Sequence, residues 1–363
     1  MSKKYIMHIR QETTAKNEKR VSFIPTQVAR LLQDYSNLQI QIESEAGLAA
    51  GFSDEDYKNA GASIAGPEAA RNSHLCIAVK GTGPGQHYGR YDIRFHHGAN
   101  CNVEGGLEAV NSGAGLITLD QDMKLPKDSF DSPRPVLVAM SDFTGRLSAA
   151  WLKEFRPKAF INAKVVIFGG GVLGRAAFSE FINLGIPESQ IFVGDINDTV
   201  LETYPQHCRF RTDDREQFLD AIADAYFAVG AVLIPGKKSP CVFTSEDWSK
   251  YSRKGAVAID PANDQGGCFE GAQQRVKKGQ YTTFDKRFGN WTPNRYISVV
   301  PNMPSAGGAE SSELFGNALM EMLPSMFNAK DWSPNRVCIN GALLAIDGTI
   351  LDDAFSTRVS PGS

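Results

Sequence analysis

The chain has few of the features that mark metal-binding, secreted or membrane proteins. Its six cysteines show no C-x-x-C spacing and have no histidine cluster near them, which argues against a zinc site and a disulfide framework. No apolar run approaches the roughly 20 residues of a membrane span, and residues 1–10 hold one short apolar stretch, too brief for a signal peptide. These absences predict a cytoplasmic protein with no bound metal and no membrane partner.

An excess of positive charge is also missing. The 38 Lys and Arg against 41 Asp and Glu give a net charge of -3, and the basic residues are scattered along the chain. We therefore expect no nucleic-acid partner. What is present is length and apolar content: 363 residues, 42% of them hydrophobic, favour a globular protein of two domains.

Strand and helix patterns alternate along the chain, which predicts an α/β fold. The first third contains a strand, a helix and a strand at 4–9, 25–32 and 38–43. In the middle, a buried strand at 165–168 leads through a glycine turn into a helix at 175–184, and a strand at 190–193 follows. This order is a βαβ unit, the building block of a doubly wound parallel sheet.

The remaining elements divide the chain into two lobes. Three more apolar strands, each ending in a loop rich in Gly, Pro, Asn or Asp, follow at 225–234, 256–260 and 296–300. A turn-rich segment at 125–135 marks a boundary, and the tail after a helix at 311–326 is too small to fold alone. We predict a Rossmann domain at 136–305 and a discontinuous substrate domain formed by 1–135 and 306–363.

The glycine turn has the G-x-G-x-x-G spacing of a dinucleotide site. Gly169, Gly171 and Gly174 follow a predicted strand and open a predicted helix. Glycine there permits a tight turn, the close approach of a pyrophosphate and helix–strand packing, and the helix N-terminus offers N–H groups to phosphate. A bare glycine triplet is as often an ordinary turn, so the strand–turn–helix context is what favours a cofactor.

Asp195 distinguishes between the two nicotinamide cofactors. It ends the next strand, about 20 residues beyond the motif, where a carboxylate can bind ribose hydroxyls. A carboxylate repels the 2′-phosphate of NADP, and the neighbours 196–198 add no positive charge. The structural alternative is a turn or N-cap role before a helix beginning near Thr199. We predict NAD.

Several blocks of sequence, spread over most of the chain, resemble the alanine dehydrogenase and transhydrogenase α-subunit family. They are Glu12-Thr13, Asn17 to Val21, Gly51 to Asp54, Gly169 to Val172, Gly230 to Gly236, Asp264 to Glu270 and Val300 to Pro304. The resemblance implies a substrate lobe built from both chain ends and a nicotinamide lobe in the middle. It agrees with the division read from the strand and helix patterns.

The resemblance also implies a set of site residues. Arg20 is the position of the carboxylate-binding arginine, Lys80 of the carbonyl-binding lysine, His97 of the proton-transferring histidine and Asp264 of the catalytic aspartate. The cofactor-binding positions are Ser141, Gly169, Gly171, Val172, Gly174, Asp195 and Asn302. No metal ligand is implied.

These residue types suit hydride transfer to a 2-oxo acid or its imine. An arginine fork grips a planar carboxylate, and a lysine polarises the carbonyl while a histidine exchanges a proton near neutral pH. Asp264 can orient ammonia or the hydroxyl intermediate and balance the two cations.

Each of these residues also has a structural alternative. Arg20 reads equally as a solvated surface charge, Lys80 as a solvent-facing strand end and Asp264 as a turn residue in a glycine-rich loop. His96 and His97 are adjacent, so in an extended segment one of them faces away from the cleft. The family register selects His97 and leaves His96 as the alternative.

Two departures from the family bear on the substrate. The segment 151–163 runs into Lys164 without the glycine-rich insertion of alanine dehydrogenases, and Gly81-Thr82-Gly83-Pro84 lacks the family's glutamate-proline. In lacking the insertion, the chain resembles the carboxyethylornithine synthase branch of the family. The segment Arg10 to Thr13 resembles the start of lysine-forming saccharopine dehydrogenases.

The leading hypothesis is an NAD-dependent oxidoreductase of the CH–NH group, which makes an amino acid from a 2-oxo acid and ammonia. The rival is an opine-type or saccharopine-type dehydrogenase, whose amine is a second amino acid and whose second carboxylate anchor is Arg94 or Arg146. A third reading, of another class, is a catalytically silent NAD-binding subunit or sensor. We expect small-molecule substrates and a homo-oligomer.

Asp195 yields the first testable prediction. The value of kcat/KM for NADH is expected to exceed that for NADPH more than tenfold. A factor of ten corresponds to about 1.4 kcal/mol of charge repulsion at the ribose. Initial-rate kinetics with both cofactors measure this ratio. Equal use of NADH and NADPH would contradict the assignment of Asp195.

Overall fold

The structure is a computed structural model that describes residues 3–13, 15, 17–98, 101–232, 238–263, 266–279 and 283–360. The chain forms two compact units. The first consists of Met1–Met140 with Ser305–Ser363, and the second of Ser141–Pro304. The division falls within one helix, α4, which spans Pro135–Phe155.

The first unit contains an eight-stranded sheet. Its strands are β1 (Tyr5–Ile9), β2 (Leu38–Glu43), β3 (Ser63–Ala65), β4 (Leu75–Ile77), β5 (Tyr91–Arg94), β6 (Gly115–Thr118), β14 (Leu343–Ile346) and β15 (Thr349–Ile350). They are ordered β15-β14-β6-β5-β4-β1-β2-β3. The strands from β1 to β6 pair in parallel, whereas β14 pairs antiparallel with β6 and with β15.

Helices cover this sheet. They are α1 (Pro25–Asp34), α2 (Asp54–Asn59), α3 (Val103–Asn111), α10 (Ala309–Met326), α11 (Arg336–Ile339) and α12 (Asp353–Val359). Pro25 opens α1, a position where its missing N–H costs nothing. Val28 and Leu31 on α1 and Phe315 and Leu319 on α10 join the sheet residues in one hydrophobic core. Gln27 ties the two helices together through bonds to Glu313 O and Asn317 Oδ1, each 2.8 Å long.

The second unit contains a seven-stranded sheet. Its strands are β7 (Val165–Phe168), β8 (Ile191–Asp195), β9 (Arg209–Arg211), β10 (Phe227–Gly230), β11 (Val257–Ile259), β12 (Gly289–Thr292) and β13 (Arg295–Ser298), in the order β12-β13-β11-β10-β7-β8-β9. Its remaining helices are α5 (Val172–Asn183), α6 (Asp198–Leu201), α7 (Arg215–Ile222), α8 (Ser245–Tyr251) and α9 (Ala272–Lys277). Aromatic side chains, among them Phe168, Phe243, Trp248 and Phe269, fill one of its cores.

Each sheet reverses its strand order at one point. In the first unit the chain moves from β1 outward to β2 and β3, then returns to β4 on the other side. In the second it moves from β7 to β8 and β9, then returns to β10. The loops leaving two such neighbouring strands diverge, which opens a crevice at their carboxyl ends where ligands bind in open α/β sheets. Both units therefore have a place for a ligand.

The predicted α/β fold is confirmed, although several short strands were not predicted. The elements predicted at 38–43 and 165–168 have the observed bounds of β2 and β7. The strand predicted at 225–234 is shorter, because β10 ends at Gly230; residues 233–234 of that prediction lie outside the described residues. The strands β3, β5, β6, β9, β12, β14 and β15 were not predicted, since strands of two to four residues carry little apolar periodicity.

Two chemical features complete the description of the fold. None of the described helices is long and apolar enough to cross a membrane. All six cysteines are unpaired; Cys241 is exposed and the other five are buried.

Candidate functional site

The glycine turn follows β7 and meets the first residue after β10, at the point where the second sheet reverses. Gly169 has φ +100°, and a Cβ there would lie 2.6 Å from the carbonyl oxygen of Ala231. A Cβ at Gly174 would overlap the carbonyl oxygen of Gly169, whereas one at Gly171 would have no atom within 4 Å. Gly169 and Gly174 thus keep the turn closed, and Gly171 leaves open space in front of α5. The turn fits a pyrophosphate.

Asp195, at the end of β8, is bonded to this turn. Its carboxylate accepts hydrogen bonds from the backbone N–H of Gly170 at 2.8 Å, of Ile196 at 2.8 Å and of Asn197 at 3.0 Å. A carboxylate has about four lone-pair sites, so these three bonds leave capacity for a ribose hydroxyl. Asp195 therefore fits the ribose of a dinucleotide and also holds the glycine turn.

The other predicted cofactor positions also lie in the second unit. Ser141 lies on α4, Val172 is the first residue of α5, and Asn302 adopts a left-handed φ of +56° after β13. Asp264 lies outside the described residues. The adjacent Asn263 is buried and donates to Asp260 O at 2.5 Å and to Val300 O at 3.1 Å.

In the first unit, polar residues follow four neighbouring parallel strands. Glu12 comes after β1, Lys80 after β4, the pair His96-His97 after β5 and Asp120 after β6. These strands are adjacent in the order β6-β5-β4-β1, so their carboxyl ends meet at one edge of the sheet. Lys80 and the loop of Glu12 flank the point where the strand order reverses.

Arg20 lies on the loop that leaves β1 and is buried, with 2% of its surface exposed. Its Nε and Nη2 donate to the two oxygens of Glu18 at 2.8 and 2.7 Å, and its Nη1 donates to the sulfur of Met140 at 3.2 Å. The alternative that Arg20 is a surface charge is therefore wrong. A buried guanidinium paired in this way has a fixed orientation.

Two serines of the returning chain fasten this loop. The Ser305 hydroxyl accepts from the N–H of Lys19 at 2.6 Å and donates to the carbonyl of Asn17 at 2.7 Å. The Ser312 hydroxyl accepts from the N–H of Val21 at 3.0 Å. The loop that carries Arg20 is thus bonded to residues almost 300 positions further along the chain.

The two adjacent histidines have different environments. The His97 side chain is 35% exposed, and its Nδ1 lies 3.2 Å from a carboxylate oxygen of Asp120. The His96 side chain is 1% exposed, and its Nε2 lies 3.3 Å from the carboxylate of Asp92, which also pairs with Arg94. The segment is not extended, because His97 has φ +50°. His97 is the histidine that a substrate can reach.

Burial alone would raise the pKa of Asp120, but hydrogen bonds from His97 and Thr118 outweigh it and hold this pKa at about 2. Asp120 is therefore negatively charged at any working pH. A fixed carboxylate beside Nδ1 orients the imidazole. The arrangement gives His97 the means to hold and release a proton at Nε2.

Glu18 and Asp120 were not among the residues predicted from the sequence. Asp120 had a usable signal, because it follows an apolar strand at the same sheet edge as His97. The pairing of Glu18 with Arg20 had none, since neighbouring charges in a loop are usually solvated.

Comparison with known proteins places the chain in a family. It belongs to the alanine dehydrogenase/PNT family: the model of the C-terminal domain matches residues 158–353 and that of the N-terminal domain residues 8–92. This confirms the resemblance seen in the sequence blocks.

Curated relatives of the chain include alanine dehydrogenases. One from Bacillus subtilis is 29% identical over 309 residues, which are 80% of this chain and 77% of that protein. An alanine dehydrogenase 2 from Staphylococcus aureus is 30% identical over 325 residues, 84% of this chain and 82% of its own length.

Solved structures share the α/β fold. An L-alanine dehydrogenase superposes with a TM-score of 0.79 at 23% identity, over 97% of this chain and 98% of that one. A transhydrogenase from Sinorhizobium meliloti gives a TM-score of 0.78 at 20% identity, over 95% of this chain and all of its own.

The glycine turn generates a paired prediction. Gly171→Ala is expected to weaken NADH binding at least tenfold with little change in stability, because its Cβ enters the space left for phosphate. Gly174→Ala is expected to lower the free energy of unfolding by about 1–3 kcal/mol, because its Cβ meets backbone. NADH titration and urea unfolding of both variants measure the two effects. Equal losses of stability in both would refute the division of roles.

Proposed function

We propose that this chain is an NAD-dependent amino-acid dehydrogenase that forms an amino acid from a 2-oxo acid and ammonia, and catalyses the reverse oxidation. The observation that carries the proposal is the row of Lys80, His97 and Asp120 at one sheet edge of the first unit, next to the loop of the buried Arg20. Membership of the family supports the class of enzyme, an amino-acid dehydrogenase. The glycine turn and Asp195 are suited to binding NAD. In its first unit the chain carries substrate-binding residues and in its second unit cofactor-binding residues.

Arg20 begins the reaction by binding the substrate carboxylate. Glu18 holds the guanidinium plane, so binding costs little reorientation. Lys80 then donates a hydrogen bond to the carbonyl oxygen and stabilises the negative charge that develops there. Ammonia adds to the polarised carbon, and water leaves after His97 protonates the hydroxyl group.

The glycine turn and Asp195 would hold NADH, which would supply the hydride for the resulting imine carbon. His97 takes up a new proton from solvent, which its partial exposure permits. Asp120 stabilises the imidazolium during each proton transfer. The overall balance is one 2-oxo acid, one ammonium ion, one NADH and one proton consumed for one amino acid, one NAD and one water. Asp264, proposed from the family register, orients the ammonia.

The rival reading needs a second carboxylate anchor. Arg94 is fully buried and both its Nε and Nη2 bond to Asp92, while its Nη1 donates to Gln86. The Nε of Arg146 donates to Asp142 at 3.0 Å. Arg20 is paired with Glu18 in a similar way, so we base the choice of ammonia on the relatives, which are named alanine dehydrogenases. A silent NAD-binding subunit would have no use for a charged row at the edge of the first sheet.

The cell compartment and the assembly are also proposals. Six unpaired cysteines suit the reducing cytoplasm. We propose that the protein is a homo-oligomer, as the family resemblance implies. Light scattering on the purified protein measures the assembly directly.

A substrate screen tests the proposed function. NADH oxidation is followed with a panel of 2-oxo acids, each combined first with ammonium and then with a panel of amino acids. Turnover is expected with ammonium. Turnover only with amino acids would favour the opine-type reading, and none with any pair would favour the silent subunit.

The two histidines provide a matched test of the mechanism. His97→Asn is expected to lower kcat about 10²–10⁴-fold with NADH affinity unchanged, because an amide cannot exchange a proton near neutral pH. His96→Asn removes a buried partner of Asp92, so it is expected to reduce stability by about 1–3 kcal/mol and leave kcat within a few fold. Steady-state kinetics and thermal unfolding separate the two. An inactive but stable His96→Asn would overturn the assignment.

A further inference from the structure

Glu12 is a half-buried residue to which the mechanism above gives no role. It lies on the loop that leaves β1, at the point where the strand order of the first sheet reverses. One of its oxygens accepts the N–H of Val79 at 2.5 Å and the other accepts the N–H of Lys80 at 3.1 Å. A single side chain thus binds two successive peptide groups where β4 ends and the loop of Lys80 begins.

The peptide chain at Lys80 is held on its other side as well. Arg94 Nη1 donates to the carbonyl oxygen of Lys80 at 3.5 Å and to Gln86 Oε1 at 2.9 Å. Arg94 is itself fixed by Asp92. The backbone of Lys80 therefore lies between an acceptor for its N–H, on the loop that leaves β1, and a donor to its carbonyl, on β5.

Holding the backbone with a carboxylate is costly for the fold. Burial is the largest cause that raises the pKa of Glu12, and the negative charge of Glu18 adds to it; the two N–H groups and Arg94 lower it, and the pKa stands at about 7. The charged groups that face Glu12 are Glu18 on its own loop and Arg94 on β5. A carboxyl group whose pKa is higher in the folded chain than in the unfolded chain opposes folding when it ionises.

We propose that Glu12 is the positioning residue of Lys80: its two carboxylate oxygens fix the Val79–Lys80 peptide chain and thereby set the direction in which Lys80 meets the substrate carbonyl. The inference rests on the proposed function, in which Lys80 polarises that carbonyl. Glu12 touches no reacting atom. It acts through the lysine, and it acts fully when both oxygens are acceptors.

Glu12→Gln is the discriminating variant. The amide keeps the size of the side chain but replaces one acceptor oxygen with an NH₂ donor, which cannot bind a backbone N–H. One of the two peptide groups then loses its partner. Glu108→Gln is the matched control, because Glu108 also accepts a backbone N–H, that of Gly85 at 2.7 Å, on the loop beyond Lys80.

Kinetics give the first readout. At pH 8, Glu12→Gln is expected to lower kcat about 10–100-fold, the range caused by a misplacement of about 1 Å, with KM for NADH within twofold of wild type. Glu108→Gln is expected to keep kcat within twofold. A wild-type kcat in Glu12→Gln would overturn the proposal.

Stability against pH separates positioning from a merely structural role. The folded pKa of Glu12 lies above its ordinary value of 4.5, so its contribution favours folding at low pH and is lost as pH rises through 7. Between pH 5.5 and pH 8 the unfolding temperature of wild type should therefore fall relative to that of Glu12→Gln. The variant should remain the less active protein at both pH values. A variant that loses stability and activity together at both pH values would show that Glu12 only supports the fold.

A readout without turnover makes the inference independent of the substrate. Acetic anhydride acetylates accessible lysines, and peptide mass spectrometry follows Lys80 beside the exposed Lys278 as reference. Lys80 of Glu12→Gln is expected to react at least threefold faster than in wild type, because its backbone is released. An unchanged rate would refute the proposal. Absence of wild-type turnover with every oxo acid would instead refute the proposed function, and the acetylation rates would still decide on Glu12.

Discussion

The parallel pairing of β1 with β4 and of β7 with β10 is the constraint on which both sites depend. Each pair joins strands that are distant in sequence, and the loops that follow them run in opposite directions. The carboxyl ends are the places where backbone N–H groups and polar side chains gather without burying a strand. The glycine turn occupies one such place and the loops of Arg20 and Lys80 flank the other.

Carboxylates hold the working groups at both places. Glu18 orients the guanidinium of Arg20, Asp120 orients the imidazole of His97, and Asp195 holds the glycine turn through Gly170. Each of these bonds fixes a group before any ligand arrives, which reduces the entropy lost on binding. Placing these charges in or near the protein interior costs desolvation free energy. This cost is offset where each carboxylate oxygen forms a bond with a cation or an N–H group.

Sequence patterns predicted the parts of the molecule that obey local periodicity. The strand before Gly169 is an uninterrupted apolar run, so its bounds and the glycine turn could be read directly. The burial of Arg20 could not, because it depends on contact with Met140, which is 120 residues away in the chain. The same holds for Ser305, whose partners Asn17 and Lys19 are almost 300 residues away. The different environments of His96 and His97 result from a positive φ that no adjacent-residue rule anticipates.

The distribution of thiols has a practical consequence for spectroscopy. Five cysteines are buried, and burial raises the pKa of the Cys76 thiol to about 12 and that of Cys208 to about 11. Cys241 is the one exposed thiol, and it belongs to the unit that carries the glycine turn. A maleimide dye added to the folded protein therefore attaches there first, at a single position and without mutagenesis. Fluorescence from that dye would report on the unit to which Cys241 belongs.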